Sequence, residues 1–186
     1  MRKIISILCG IGLSLSLIGC QGLLAPAKGL SSTAWVAQQY QRQDQVEVQW
    51  KQHSFSFLLY QQQQGQNVDF LALSLTGQQL FKLQFDGQTV KVEQRIDQMK
   101  HLPFDYVVRD ILYATYPDFA QLQHDQVDVK QLQSPETAQP LTEIYIQQQK
   151  VLLIEKQADL TLLKNVQVPY EMTLSPIANS LQEDQQ

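Results

Sequence analysis

The fold is decided by the stretch VDFLALSLTGQQLFKLQFDGQTVKVEQRI, residues 68–96. Apolar and polar residues alternate along it with the period of two that predicts half-buried β-strands. The alternating runs are Val68–Leu75, Gln79–Phe85 and Thr89–Ile96. Two short turns, Thr76-Gly77-Gln78 and Asp86-Gly87, separate these runs, and the second is a dipeptide that type I′ hairpins favour. Consecutive hairpins predict an antiparallel meander.

Strand patterns continue on both sides of this meander. Before it, Val46–Trp50 and Ser54–Tyr60 alternate, and the glutamine-rich Gln61–Asn67 is predicted to be a solvated hairpin loop. Thr33–Tyr40 is either a short capped helix, with Trp35, Val36 and Tyr40 turned inward, or an irregular lead-in. The later strand-like segments are Val127–Leu132, Glu143–Gln148, Val151–Glu155, Leu160–Val166 and Val168–Leu174.

A helix interrupts the strands at the middle of the chain. Apolar residues fall at spacings 0, 3, 4, 7 and 8 from Phe104 to Leu112, which predicts one buried helical face. Pro103 suits the first turn of this helix and Pro117 suits its end. The order of strands, one helix and strands predicts an α+β, mainly β fold: a curved antiparallel half-barrel with the helix on its concave face. Since no βαβ series occurs, a doubly wound nucleotide-binding sheet is excluded.

The amino terminus has the features of a secretion signal. A basic start, Met1-Arg2-Lys3, precedes the apolar run Ile4–Ile18, whose roughly 15 residues fall short of the roughly 20 that span a membrane. Leu17-Ile18-Gly19-Cys20 then resembles the bacterial lipobox. We therefore expect residues 1–19 to be a lipoprotein signal peptide, the alternative being an ordinary secretory signal with a chance cysteine.

The lipobox resemblance implies lipidation at Cys20, and the residue patterns along the chain predict the tether, the domain and the tail. Cys20 becomes the lipidated first residue, residues 20–30 form the tether, 31–176 the domain and 177–186 a polar tail. Cys9 leaves with the signal peptide, so the mature chain has no internal disulfide. Gln21 stands where Asp marks inner-membrane retention in such lipoproteins. We expect an outer-membrane lipoprotein, anchored through the acyl chains (palmitate) on Cys20 and facing the periplasm.

The composition limits the partners. The chain has 186 residues, of which 44% are hydrophobic and only 17% charged, while 33 are glutamines. Removing Arg2 and Lys3 from the formal charge of −4 leaves 12 basic and 18 acidic residues, hence −6. The positive charge that dominates nucleic-acid affinity is missing, so nucleic acid is not expected as a partner.

Motifs for chemistry are not found in the sequence. His53, His101 and His124 lie far apart, none with a second His or Cys at metal-ligand spacing, so neither a metal nor another cofactor is expected. Ser54 and His53 are neighbours on a predicted strand and point to opposite faces, which is poor geometry for a nucleophile and its base. Asp105, Arg109 and Asp110 share the polar side of the predicted helix, and Asp105 and Arg109 are spaced as a surface ion pair. No enzyme activity is predicted.

Three stretches carry a family resemblance: His101–Leu112 with Tyr116-Pro117, the hairpins at Gly77–Phe81 and Phe85–Gly87, and Asn165–Tyr170. From Trp50 to Leu174 the chain resembles a family of uncharacterised bacterial lipoproteins, often encoded near genes for aryl-polyene synthesis. That family is similar in fold to the lipoprotein carrier LolA and the receptor LolB, half-barrels closed by helices over an apolar cavity. The resemblance implies this architecture and an apolar ligand.

Apolar side chains on the predicted inner face are the candidate cavity lining. These are Trp50, Phe55, Phe57, Leu59, Phe70, Phe81, Leu83, Phe104, Val108, Ile111, Leu112, Ile144, Ile154 and Met172. One hypothesis is that they bind or hand over a lipid, an acyl or polyene chain, or the acyl chains of a lipoprotein. The alternative is an envelope assembly or docking lipoprotein in which the same residues form a filled core. A hydrolase or transferase acting on acyl substrates is least supported.

Overall fold

The computed structural model describes residues 26–122, 127–135 and 137–177. The predicted signal peptide 1–19, the lipidation site Cys20 and the polar tail beyond Ile177 lie outside these residues. Searched over the described ranges, no helix has both the length and the apolar character needed to cross a bilayer.

Ten antiparallel strands form one sheet. They are β1 (Gln41–Trp50), β2 (His53–Gln64), β3 (Asn67–Leu73), β4 (Gln79–Phe85), β5 (Val90–Arg95), β6 (Val127–Gln133), β7 (Pro140–Ile146), β8 (Gln149–Lys156), β9 (Thr161–Asn165) and β10 (Tyr170–Pro176). The order across the sheet is β5-β4-β3-β2-β1-β10-β9-β8-β7-β6. The predicted fold class is confirmed: a mainly β, curved antiparallel sheet that is not closed, consistent with a half-barrel.

The two ends of the domain meet in the middle of the sheet. β1 pairs with β2 on one side and with β10 on the other, so that Trp50 lies between His53 and Tyr170. The meanders β1–β5 and β6–β10 extend outward from this centre. β5 and β6 are therefore the two edges of the sheet, although they are joined in sequence by the segment that contains the helix.

The helix α1 (Phe104–Thr115) agrees with the predicted proline punctuation. Pro103 occupies its N-cap position and Tyr116, just before Pro117, has extended backbone dihedrals. The buried residues of α1 include both the expected apolar face and, unexpectedly, Arg109 and Asp110. Short 3-10 turns, Asp97–Met99 and Phe119–Leu122, flank the helix on either side.

One local prediction was wrong, and one alternative that the sequence left open is decided. Gln61–Asn67 is not a loop, because β2 continues to Gln64 and pairs with β3 as far as Asn67. The turn is only Gly65 and Gln66, and Gly65 has the positive φ of 60° that glycine tolerates best. Thr33–Tyr40 is the irregular lead-in rather than a helix, and its Gln38 N–H donates to Tyr116 Oη at 3.0 Å. Val36, which was expected to turn inward, is 62% exposed.

The other predicted strands are confirmed with shifted ends. The strand predicted as Val46–Trp50 begins at Gln41, and the segment predicted as Glu143–Gln148 lies at Pro140–Ile146. Gln147 and Gln148 have positive φ values of 52° and 65°, so they form the turn into β8 rather than the end of β7.

Candidate functional site

The candidate cavity residues meet beneath α1. Phe55 is partly buried, and the other thirteen belong to one buried apolar cluster: Trp50, Phe57, Leu59, Phe70, Phe81, Leu83, Phe104, Val108, Ile111, Leu112, Ile144, Ile154 and Met172. The strands supply these side chains at alternating positions, which places them on a single face. The inner face of the half-barrel is thus mainly apolar, interrupted by the buried polar residues Asp44, Gln61 and Asn165, and α1 covers it.

Aromatic rings join the helix to one half of the sheet. The Phe81 ring of β4 lies 5.0 Å from that of Phe104 on α1 and 5.4 Å from that of Phe57 on β2. Both contacts are edge-to-face, the arrangement that ring quadrupoles favour. These three rings connect the first turn of α1 to the inner face, so a guest chain can enter here only if Phe104 moves away from Phe81.

A second aromatic group includes the lead-in segment. The Trp35 ring lies 5.0 Å from Tyr116 and 5.2 Å from Phe85, and its Nε1 donates to Gln66 O at 2.7 Å. Phe119 packs edge-on against Tyr113 at 5.0 Å. These residues fix the C-terminal end of α1. An inward Trp35 was predicted from the sequence. Its partners Phe85, Tyr116 and Gln66 are distant in the chain, and no local pattern indicated them.

Polar side chains hold the middle of α1 to the other half of the sheet. Arg109 and Asp110 are both fully buried and form an ion pair, with Nε to Oδ1 at 2.8 Å. Asp110 also accepts hydrogen bonds from Asn165 Nδ2 at 2.6 Å and from the Tyr170 hydroxyl. Arg109 Nη1 donates to Gln167 Oε1 at 2.9 Å and to the carbonyl of Lys28 at 3.1 Å.

The predicted surface ion pair between Asp105 and Arg109 was therefore wrong. Asp105 is exposed, whereas Arg109 turns toward the β9–β10 connection and bonds its neighbour Asp110. Helical spacing identified the two as possible partners, but the acceptors that Arg109 finds on Asp110, Gln167 and the Lys28 carbonyl outcompete an exposed carboxylate. Asn165–Tyr170, already singled out by the family resemblance, was the one available signal for this network.

Burial dominates the protonation of this network. It raises the pKa of the Asp110 carboxyl, against the lowering effect of Arg109 and of the two hydrogen-bond donors. Burial and the neighbouring Asp110 raise the pKa of the Tyr170 hydroxyl well above its ordinary value. Among the described residues, Arg109 Nη2 has no hydrogen-bond partner. Removing Asp110 would leave that guanidinium with no counter-charge inside the fold.

A further buried polar cluster lies at the C-terminal end of α1. The Tyr40 hydroxyl contacts Thr115 Oγ1 at 2.7 Å and donates to Gln61 Oε1, while Gln61 Nε2 donates to Asp44 at 2.9 Å. Arg42 pairs with Asp44 at 2.7 Å. Burial raises the pKa of Tyr40. Gln61 is thus a structural residue, which its position in a glutamine run concealed.

The outer face carries a groove of about 620 Å³ over β7–β10, bounded by the β6–β7 hairpin. Leu141, Leu153 and Leu162 contribute apolar surface to it. Its charged groups include Glu143, which Lys150 contacts and to which the Tyr145 hydroxyl donates at 2.7 Å. The hydrogen bond from Lys150 lowers the pKa of Glu143. Of the fourteen candidate cavity residues, Met172 also contributes to this groove.

No metal site is assembled in the described part of the chain. Within it, no three His, Cys, Asp or Glu side chains come together as metal ligands. His53 is exposed and stacks on Phe55, with ring centroids 6.2 Å apart, and His101 is exposed at the end of a turn. His124 lies outside the described residues. What the arrangement provides is an apolar inner face, a covering helix and two polar attachments.

Comparison with known proteins identifies a family but not an activity. No curated protein matches the chain. A family model described as "Protein of unknown function (DUF3261)" matches residues 41–178, which span the sheet from β1 to the end of β10. This match includes α1 and the buried network on Arg109 and Asp110. The chain belongs to the DUF3261 family.

Proposed function

We propose that this protein is a non-catalytic lipoprotein of the outer membrane that binds or hands over an apolar chain in its half-barrel. The ligand would be a lipid, an acyl or polyene chain, or the acyl chains of a lipoprotein. The observation that carries the proposal is the large, mainly apolar inner face of an unclosed sheet, covered by one helix. The resemblance to LolA-like and LolB-like half-barrels supports the same reading.

The energetics of such binding are favourable. Each buried methylene contributes roughly 0.8 kcal/mol, so a chain of about 16 carbons contributes on the order of 10 kcal/mol before ordering costs are subtracted. Space for the chain requires α1 to separate from the sheet at Phe104 and Phe81, whose rings now touch. The contacts there are apolar, so an acyl chain replaces them with contacts of the same kind.

The anchor is part of the proposal. The lipobox-like Leu17–Cys20 would give the mature protein acyl chains at its amino terminus, and two or three such chains hold a protein to a bilayer essentially permanently. Only six residues separate Cys20 from Ala27, which is buried in the domain. The domain would therefore stay close to the membrane, where an apolar ligand is delivered or received.

A photoreactive fatty acid tests the ligand site. The full-length protein in nanodiscs is irradiated with a palmitic acid that carries a terminal diazirine, and labelled peptides are mapped by mass spectrometry. We expect adducts on α1 and on the inner-face residues of β2 and β4. Ile111→Trp, which adds side-chain volume beneath the helix, should reduce labelling about tenfold, since overpacking of roughly 1–3 kcal/mol opposes the guest.

The matched control is Val36→Trp, because Val36 is 62% exposed and lies away from the inner face. This variant should label like the parent. Adducts confined to exposed residues such as Leu75, or equal labelling of a folded Ile111→Trp protein, would overturn the ligand proposal.

A docking lipoprotein with a filled core is the second candidate. It is favoured by one specific observation: Phe57, Phe81 and Phe104 already interlock edge to face beneath α1. In that case the domain binds another envelope protein through an outer surface. Absence of inner-face adducts, together with one dominant protein cross-link in intact envelopes that Ile111→Trp does not alter, would establish docking.

A further inference from the structure

Strand β6 is an open edge of the sheet. It pairs with β7 along its whole length, and in the described part of the chain no strand pairs with its other side. Alternate residues of such an edge direct their N–H and C=O groups away from the sheet, ready to pair with another strand. Val129, the third residue of β6, is 44% exposed despite its apolar side chain.

The charges on this edge are arranged symmetrically about Val129. Asp128 precedes it and Lys130 follows it, and both side chains lie on the face opposite to Val129. Lys130 Nζ stands over the Tyr145 ring at 4.3 Å. Asp128 lies opposite Tyr145 in the ladder and forms no ion pair among the described residues.

We propose that β6 pairs antiparallel with β6 of a second copy of this chain, about a two-fold axis at Val129. In this register each Asp128 faces Lys130 of the other copy, so the interface contains two opposite-charge pairs. The two Val129 side chains face each other, and Val127 faces Gln131. The interface is isologous and closed, because the same strand is used by both copies.

The charge pattern also excludes the neighbouring registers. Moving the axis to Lys130 sets lysine opposite lysine, and moving it to Asp128 sets aspartate opposite aspartate. Like charges directly opposite each other on adjacent strands are destabilising. A one-residue slip between the strands also turns Val129 toward the wrong face. The pairing is therefore specified in register as well as in partner.

The other edge is less suited to the same contact. β5 has Lys91 and Glu93 on either side of Val92, but Glu93 already pairs with Lys82 at 2.8 Å and with Lys91 at 3.7 Å. Its charges are thus matched within one sheet, whereas Asp128 on β6 is not. We assign the contact between copies to β6 and use β5 as the control.

Cysteine cross-linking tests the register. Facing residues of an antiparallel pair have Cα atoms about 4.5–5.5 Å apart, within the range that a disulfide bridges. The full-length Val129→Cys variant in detergent should form a disulfide-linked dimer under mild oxidation. Gln131→Cys alone should stay monomeric, yet a mixture of Val127→Cys and Gln131→Cys chains should form the mixed dimer. The parent chain measures any background from Cys9 and Cys20.

Charge exchange tests the recognition. Asp128→Lys should lower the dimer association constant about tenfold, because two attractive pairs become two repulsive ones. Adding Lys130→Asp should restore it, whereas Glu93→Lys on β5 should leave it unchanged. Equal cross-linking of Val129→Cys and Gln131→Cys, a monomeric Val129→Cys, or dimers only through Val92→Cys would each overturn the proposal. Unchanged urea midpoints would show that the variants fold.

Discussion

Replacing Asp110 by Ala should destabilise the domain severely. The carboxylate accepts from Arg109, Asn165 and Tyr170, and both members of the ion pair are fully buried. Breaking a buried pair by removing one partner costs about 3–5 kcal/mol, because the remaining charge has no solvent and no counter-ion. Total stabilities are roughly 5–15 kcal/mol, so the variant should retain only part of the parent's free energy of unfolding.

Urea denaturation of the full-length protein, followed by tryptophan fluorescence, measures this effect. The matched control is Asp105→Ala, the same substitution on the same helix at an exposed position, with an expected change within about 0.5 kcal/mol. In the double variant Arg109→Met/Asp110→Ala the uncompensated charge is absent. Its loss should therefore be smaller than the sum of the two single losses, by about 2 kcal/mol. Additive single effects, each below about 1 kcal/mol, would refute the view that this pair fixes α1.

Three further predictions concern the aromatic contacts and the outer groove. Phe104→Ala should lower the free energy of unfolding by about 3–5 kcal/mol. Phe104→Leu keeps most of the side-chain volume and should lower it by about 1.5 kcal/mol or less. A small loss for Phe104→Ala would show that the rings do not hold the helix. Gly87→Ala should lower the free energy of unfolding, measured by thermal unfolding, by about 2–3 kcal/mol, because the φ of Gly87 is 92° and a Cβ would overlap the Trp35 ring. Gly77 has a similar φ of 85° but open space around it, so Gly77→Ala should lower the free energy of unfolding by only about 1 kcal/mol. The pKa of Glu143 is lowered in the folded state, so this residue contributes stability above its ordinary pKa, and that stability is lost as the pH falls through the folded-state pKa. In the parent protein the urea midpoint should therefore fall between about pH 5 and 3, and in Glu143→Gln it should fall less. The same pH dependence of the urea midpoint in both proteins would contradict this assignment.

Local patterns in the sequence were sufficient for the architecture. Alternation and the Asp86-Gly87 turn predicted the β4–β5 hairpin, and the apolar spacing between two prolines predicted α1. These signals depend on interactions between near neighbours, so they can be read from one sequence. The glutamine run misled because glutamine suits both an exposed strand and a loop. The backbone of the run pairs with the neighbouring strands, and the Gln61 side chain bonds Tyr40 and Asp44. These partners are distant in the sequence, so the sequence alone does not reveal them.

The site was predicted in its apolar part and missed in its polar part. Apolar periodicity locates residues that face inward, whatever they contact there. Arg109 and Asp110 were assigned to the polar side of the helix, because sequence spacing cannot show that Asn165 and Tyr170 lie opposite them. The same limitation applies to Lys28, whose carbonyl reaches Arg109 from 81 positions away.

The strand order explains why α1 is needed at all. The first and last strands, β1 and β10, lie at the centre of the sheet, so both edges come from the middle of the sequence, β5 just before α1 and β6 soon after it. The edges do not pair with each other, and an open curved sheet leaves its apolar inner face without a second layer. The segment that joins the two edges must cross this face, and its apolar helical stripe is what covers it. A ligand that displaced α1 would therefore act on the connection between β5 and β6. Stabilising β6 through a second copy would hold one end of that connection while the helix moved.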